Sequence, residues 1–477
     1  VFRDRQEVLV KHLVVLLAFV AGALPVAALQ PYPFGPSTAE FRVNTYTTAS
    51  PADPAITIYG PLGFTVVWWG DDATDPSPGG IFGQRFSFTD PSGTQFHVNT
   101  YVTNVQYAPR IGGLPYASAP GTQFVVTWTS RTQDGDAAGV FARRYGALGP
   151  LGAEFQVNVH TTDYELDSDV AIATNGDFVI VWAQPDADIG GIFARRYAAN
   201  GDPQGGVFRV NVVTTGYQRF PAVARSFSGD FVVVWQSYQE FGTANDIVAR
   251  RFSSSGDPLT GDFLVEATTN ENHVHPSVAA LGVDAGYVVV WESVPAGNTQ
   301  IFGRRFDAAG TPSAAFHVDT AGTYSHYSPA VGGDSDGNFV VVWNAFGIDG
   351  SGFGIVGRRY DASGASLGAE FRVNTHTTAD QVLPRVAMTA GGFVVTWQGA
   401  SEIKARQYCY LAGDADGSGV IDLSDVFYLI NNLFASGPAP VHASDFNGDG
   451  NLDVADVFAM INFLFAGGPA PVCAPAG

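Results

Sequence analysis

Along most of the chain, short hydrophobic runs alternate with segments rich in Gly, Asp, Asn and Pro, and the same runs return in the same order. One run ends in tryptophan: FTVVWW to Trp69, FVVTW to Trp128, FVIVW to Trp182, FVVVW to Trp235, YVVVW to Trp291, FVVVW to Trp343 and FVVTW to Trp397. The spacing is about 52 to 60 residues. A second run follows each one: IFGQRF (81–86), VFARRY (140–145), IFARRY (192–197), IVARRF (247–252), IFGRRF (301–306), IVGRRY (355–360) and IKARQY (403–408). A third precedes each Trp run: EFRVNT (40–45), QFHVNT (95–100), EFQVNV (154–159), VFRVNV (207–212), DFLVEA (262–267) and AFHVDT (315–320), with EFRVNT (370–375) before the last. A weaker fourth run, such as PAVAR (221–225) or PSVAA (276–280), lies between the third run and the next Trp run.

Each run is short, rich in β-branched and aromatic residues, and bounded by turn formers, which predicts strands. Four strands per unit and seven units predict a mainly β fold, a seven-bladed β-propeller with four-stranded blades. A β-solenoid or an array of β-sandwiches is the competing arrangement. The FVVVW runs are apolar on both alternations, as a strand covered on both faces requires. The last unit has no xFxVN run after its ARQY strand, while the N-terminal side offers an unmatched one, Glu40 to Asn44. Pairing the two would close the ring and remove its open edges. The xRR arginines, Arg85 to Arg406, recur once per unit, so they are expected to form ion pairs or stack on aromatics between blades. The repeated Asn44, Asn99, Asn158, Asn211 and Asn374 are expected to fix turns through backbone hydrogen bonds. Asp334-Ser335-Asp336-Gly337 looks like part of a calcium loop, but its place before a strand predicts a hairpin turn.

The C-terminal segment has a different pattern. DADGSGVIDLSDVFYLINNLFASGPAPV (414–441) and DFNGDGNLDVADVFAMINFLFAGGPAPV (445–472) align with each other. Oxygen-bearing side chains fall at positions 1, 3, 5, 9 and 12 of each loop. They are Asp414, Asp416, Ser418, Asp422 and Asp425 in the first, and Asp445, Asn447, Asp449, Asp453 and Asp456 in the second. Gly419 and Gly450 stand at the turn, and the main-chain carbonyls of Val420 and Asn451 take position 7. This is the ligand spacing of an EF-hand loop, whose hard oxygens suit Ca²⁺. Two like charges 4 Å apart cost ~1 kcal/mol in water and ~4 at an effective dielectric of 20. Loops with several such pairs are therefore expected to fold around two Ca²⁺ ions. The helices after the loops are expected to build a small core from Val426, Phe427, Ile430, Leu433 and Phe434, with Val457, Phe458, Ile461, Leu464 and Phe465.

This duplicated segment resembles type I dockerins, which repeat a calcium loop and one helix and also carry Asp at loop position 12. The resemblance covers roughly 60 residues. It implies a small all-α calcium-binding module in a secreted protein linked to polysaccharide breakdown, docking through a cohesin module. In such modules loop positions 10 and 11 help to select the cohesin. They fall on Leu423 and Ser424, and on Val454 and Ala455, where the hydroxyl-rich or basic residues often found in the family are mostly absent.

Composition narrows the functions. The 477 residues are 46% hydrophobic and 14% charged, with a net charge of −21. Nucleic acid is excluded as a partner, because binding phosphates needs clustered Lys and Arg. Arg3, Arg5 and Lys11, then apolar Leu13 to Leu24, then Val26-Ala27-Ala28 read as a secretory signal; a membrane anchor is the alternative. The expected domains are a signal peptide (1–28), the propeller (29–408) and the dockerin-like domain (409–477). Cys409 and Cys473 bracket that last domain and read as a disulfide, with two free thiols as the alternative. No G-x-S-x-G elbow, His-Glu zinc motif or phosphate loop occurs, so no catalytic residue is assigned. The loops after the xVNT runs carry Tyr46, Tyr101, Tyr107, His160, Tyr164, Tyr217, His273, His275, Tyr324, His326, Tyr327 and His376. In a propeller they gather on one face, for sugar stacking, protein contact or plain loop packing. His273 and His275 form a candidate metal pair. Three function classes remain: a secreted binding protein engaging a carbohydrate or cell-surface ligand, a dockerin-borne glycoside hydrolase, and a structural surface protein.

Overall fold

The computed structural model describes residues 34–468 apart from 46–49, 60–62, 72–78, 88–93, 114–121, 187–188, 239–243, 267–270, 284, 296, 321–323, 390, 411–412, 414, 416–420, 441–444 and 448–450. The chain divides into two compact units, Phe34–Tyr410 and Leu411–Val472. The signal-peptide reading of residues 1–28 falls outside the described residues.

The first unit is a seven-bladed propeller. It has seven antiparallel sheets: six are built from successive strands, one of them with an extra short strand, and the seventh joins the last three strands with two short N-terminal ones. The inner strands, in blade order 1 to 7, are Ala52–Tyr59, Gln106–Gly113, Leu166–Ile172, Tyr217–Arg225, Asn272–Leu281, His326–Gly333 and Val382–Thr389. Each packs against the next, and the seventh packs against the first. The Trp runs form the second strands, and their double apolarity is used as expected. In blade 3, Phe178, Ile180 and Trp182 face Val125 and Val140 of blade 2, while Val179 and Val181 face Phe231, Val233 and Trp235 of blade 4. One Trp per blade is fully buried. In blade 1 that residue is Trp68, not Trp69. Trp68 pairs with Phe82 as Trp128 pairs with Phe141, and Trp69 sits one register on.

Closure follows the leftover strand. Phe41 and Arg42 pair with Ala405 and Lys404 of the last blade. Val43 joins Val394 and Ile403 in one core cluster with blade 1. The Glu40 carboxylate accepts from the backbone N–H of Thr375 (2.7 Å) and His376 (3.1 Å) and from Lys404 Nζ (2.6 Å).

The arginine pairs join blades, but mainly through carbonyls rather than carboxylates. The first Arg reaches back to the outer strand of the preceding blade, as Arg250 Nη1 does to Val210 O (2.7 Å) and Arg304 Nη1 to Val265 O (2.7 Å). It also lies over its own strand's aromatic ring, as Arg250 does over Phe252. The second reaches forward, as Arg305 Nη1 does to Ser363 O (2.6 Å). The repeated Asn side chains clamp two strands. Asn99 Oδ1 accepts from Ile81 N–H (2.7 Å) and its Nδ2 donates to Tyr101 O (2.8 Å). Asp334 accepts from the N–H groups of Asp336 and Asn338 (3.0 and 2.9 Å) and holds a hairpin turn.

The second unit contains two helices, α1 (Leu423–Ala435) and α2 (Val454–Ala466). Each starts at an Asp N-cap, Asp422 or Asp453, with a capping box completed by Asp425 or Asp456. Such boxes satisfy two of the orphan N–H groups of a helix start. The core is Val426, Leu429, Ile430, Val457 and Met460, with Ile421, Phe446 and Ala415. Phe427, Phe434 and Phe458, expected in this core, are exposed. Leu429 and Met460 take the inward face instead.

Candidate functional site

In the propeller, each inner strand carries a bulge at the same place, next to the central channel. The bulged residues are Asp53, Ala108, Asp167, Phe220, His275, Ser328 and Leu383, with φ between 47° and 55°. Seven copies make this a feature of the architecture rather than of one site. The side chains there are not repeated. The Arg110 guanidinium donates to both oxygens of Asp53 (3.2 Å), and Arg385 approaches the same carboxylate (3.7 Å). Arg219 bonds Asp167 (3.3 Å), and His275 Nδ1 meets Glu292 Oε1 (3.0 Å). Burial pushes Asp167 and Asp169 above the usual carboxylate range, with Arg219 and Arg110 opposing. Burial, reinforced by Arg110, lowers Arg385 to about 10. Arg110 is held above its ordinary value, because Asp53, Asp169 and Asp167 together outweigh its burial. The Glu292 bond raises His275 despite burial. These residues come from six of the seven blades. Sequence reading missed them, since their meeting depends on strand register. One signal was available: six of the seven bulged residues precede a proline, from Asp53-Pro54 to Leu383-Pro384.

The loop residues expected on one face divide into two groups. His273 and His326 are buried against Trp291 and Trp343. His160 bonds the buried Glu165 (3.1 Å), whose carboxyl burial pushes up to about 7. His273 and His275 have different surroundings: one packs edge-on to Trp291, the other bonds Glu292 and packs against Phe220. Tyr164, Tyr217 and Tyr324 are exposed. Tyr46 lies outside the described residues.

In the second unit, Asp422, Asp425, Asp445, Asn447, Asn451, Asp453 and Asp456 of the twelve candidate ligands are described; Asp414, Asp416, Ser418, Val420 and Asp449 lie outside the described residues. The final carboxylates, Asp425 and Asp456, are fully buried. Asp425 accepts from Asp422 N–H (2.8 Å), and Asp456 from Asp453 N–H (2.9 Å) and Asn447 N–H (3.1 Å). That last bond brings the start of the second loop onto its end, as a wrapped ion site needs. Buried carboxylates among all-oxygen donors fit a hard cation such as Ca²⁺.

The outer faces of α1 and α2 match. Ser424, Phe427, Asn431 and Phe434 form one stripe, and Ala455, Phe458, Asn462 and Phe465 its counterpart, at spacings of three, four and three. All are exposed except Phe465, which is half-buried. Val454 is exposed and Leu423 half-buried beside them. Cys409 is buried in the last propeller strand; Cys473 lies outside the described residues.

Residues 412–465 match the family model of the dockerin type I domain. The C-terminal segment matches the type I dockerin domain. Dockerins typically bind calcium, dock to cohesins and belong to extracellular or cell-surface proteins. No curated protein matches the chain in sequence. Among solved structures, an ulvan lyase bound to a GlcA-(1-4)-Rha3S saccharide covers 80% of this chain and 98% of its own, at 10% identity and TM-score 0.50. A protein of unknown function from Dyadobacter fermentans covers 79% and 99%, at 11% identity and TM-score 0.49. At such identity the first likeness is one of fold alone. Among the described residues, no helix is long and apolar enough to cross a membrane.

Proposed function

We propose that this is a secreted protein whose dockerin, loaded with two Ca²⁺ ions, docks onto a cohesin-like module and whose propeller is the binding domain so delivered, in polysaccharide breakdown. The observation that carries the reading is the pair of matched Phe-bearing stripes on α1 and α2, each beginning beside a calcium-loop end. The first ion is held by Asp414, Asp416, Ser418, Val420, Asp422 and Asp425, the second by Asp445, Asn447, Asp449, Asn451, Asp453 and Asp456. A bound ion would offset the charge gathered around the buried Asp425 and Asp456, and the loops then fix the start of each helix. Leu423, Ser424, Val454 and Ala455 contact the partner at the stripe ends. The signal peptide is removed near Ala28, and Cys409 pairs with Cys473. Surface binding of the full chain to a panel of cohesin modules tests the docking. Association in calcium that vanishes in EGTA supports it; no association with any cohesin in calcium overturns it.

A second reading, a dockerin-borne glycoside hydrolase, is favoured by one feature: the unrepeated carboxylates Asp53, Asp167 and Asp169 beside the channel. Carboxylate pairs do this chemistry when one is protonated and the other is not. Reducing-sugar release from a polysaccharide panel, lost in Asp167→Asn or Asp169→Asn, separates this from pure binding.

A further inference from the structure

Two adjoining hollows on the propeller share Tyr217 and Arg219. One, of about 330 Å³, lies on blade 4 and is also lined by Phe220, Gln236, Tyr238 and Asn245. The other, of about 180 Å³, lies between blades 3 and 4 and is walled by Tyr164, Gln184 and Ile189. Together they fall within the ~300–1,000 Å³ of small-ligand clefts. We propose that this groove binds an uncharged polysaccharide chain, with Tyr217 and Tyr238 as the stacking platform and Arg219 reading ring hydroxyls. The inference rests on the reading of the propeller as a carbohydrate-binding domain and names its site.

Tyr164, Tyr217 and Tyr238 are 49%, 44% and 37% exposed, and Tyr217 pairs with Tyr238 across adjacent strands. A ring with an apolar face and a polar tip suits a sugar, which has the same division. Around the rings stand planar amides. Gln236 Nε2 donates to Asn245 Oδ1 (3.0 Å), so the pair is pre-oriented. Arg219 lies over Phe220 and, among the described residues, bonds Asp167 (3.3 Å). It lines both hollows. The Arg219 guanidinium and the Gln236 and Asn245 amides line the groove together, and a vicinal diol needs both donors and acceptors. A carboxylated or sulfated sugar would meet an Arg219 whose charge Asp167 already pairs, on a chain of net charge −21. That balance selects a neutral sugar over an anionic one.

The groove sits at the edge of the channel cluster, because Arg219 belongs to both.

Calorimetric titration of the calcium-loaded full chain tests this, with cellohexaose, xylohexaose, mannohexaose and arabinohexaose as neutral probes and hexagalacturonate as the charged one. The expected result is binding of at least one neutral probe, little changed by salt, weakened tenfold or more in Tyr217→Ala and in Arg219→Met, and retained in Tyr217→Phe. Tyr324→Ala, at an exposed Tyr outside the groove, is expected to bind as the parent does. Neutral binding unchanged by Tyr217→Ala overturns the site while leaving the carbohydrate reading standing. A preference for hexagalacturonate that falls with salt overturns the ligand class. No binding of any probe overturns both the site and the reading on which it rests.

Discussion

The propeller and the dockerin hold themselves together by different means. In the propeller every second strand is covered on both faces, and a buried Trp in each blade fills the space against its neighbour. Burial of this kind is worth about 1.5–3 kcal/mol per large side chain and needs no ligand. Among its described residues, the dockerin has eight in its buried cluster and two fully buried carboxylates. A unit near 60 residues is marginal on its core alone. The contrast teaches where function is placed. The self-sufficient unit can hold unrepeated charges at its channel, and the small one is the unit whose folding the proposed calcium sites would support.

Breaking the propeller's own means should have the largest effect. Trp235→Ala removes a fully buried side chain from the blade 3–blade 4 cluster and should cost ~3–5 kcal/mol. The loss should appear in the propeller's thermal transition and leave that of the dockerin in place.

A smaller effect is expected at the ring closure. Glu40 is held below the usual carboxylate range: burial opposes its charge, but Lys404 and the Thr375 and His376 N–H groups outweigh it. A carboxylate with a depressed folded-state pKa stabilises fully above its unfolded value, ~4.3, and loses that contribution as pH falls through the folded value. Glu40→Gln should therefore cost ~1–3 kcal/mol at pH 7. The deficit should shrink below about pH 4. Denaturant midpoints of parent and variant across pH check both the size and the sign.

The exposed phenylalanines should matter least for stability and most for docking. Phe427→Ala and Phe458→Ala should each change stability by within ~0.5 kcal/mol, as surface substitutions do. Cohesin binding should weaken in each and disappear in the double variant. A cost of several kcal/mol in calorimetry would return these rings to the core.

These expectations also mark what could be read from the chain. The blades were legible because each of seven units repeats the same four runs, and closure was legible because Glu40 to Asn44 had no partner of its own. Trp69 misled because blade 1 has two adjacent tryptophans, and only pairing with Phe82 singles out Trp68. The facing of the helices was illegible for another reason. α2 is apolar on nearly all sides, from Val457 through Phe465, so periodicity alone does not choose between Phe458 and Met460. Asp53, Arg110 and Arg385 were illegible because they lie far apart in sequence and meet only across the first, second and seventh blades.

The central claim is that calcium folds the dockerin and leaves the propeller alone. At calcium 100-fold above Kd, one site stabilises by ~2.7 kcal/mol. Each kcal/mol moves the melting point of so small a domain by about 4–8 °C. Differential scanning calorimetry of the full chain, with calcium and then with EGTA, measures this directly. The account predicts two transitions, with EGTA lowering the smaller one by roughly 10 °C or more, or abolishing it, and leaving the larger unmoved. A smaller transition that stays in place in EGTA, or a larger one that moves instead, would contradict it.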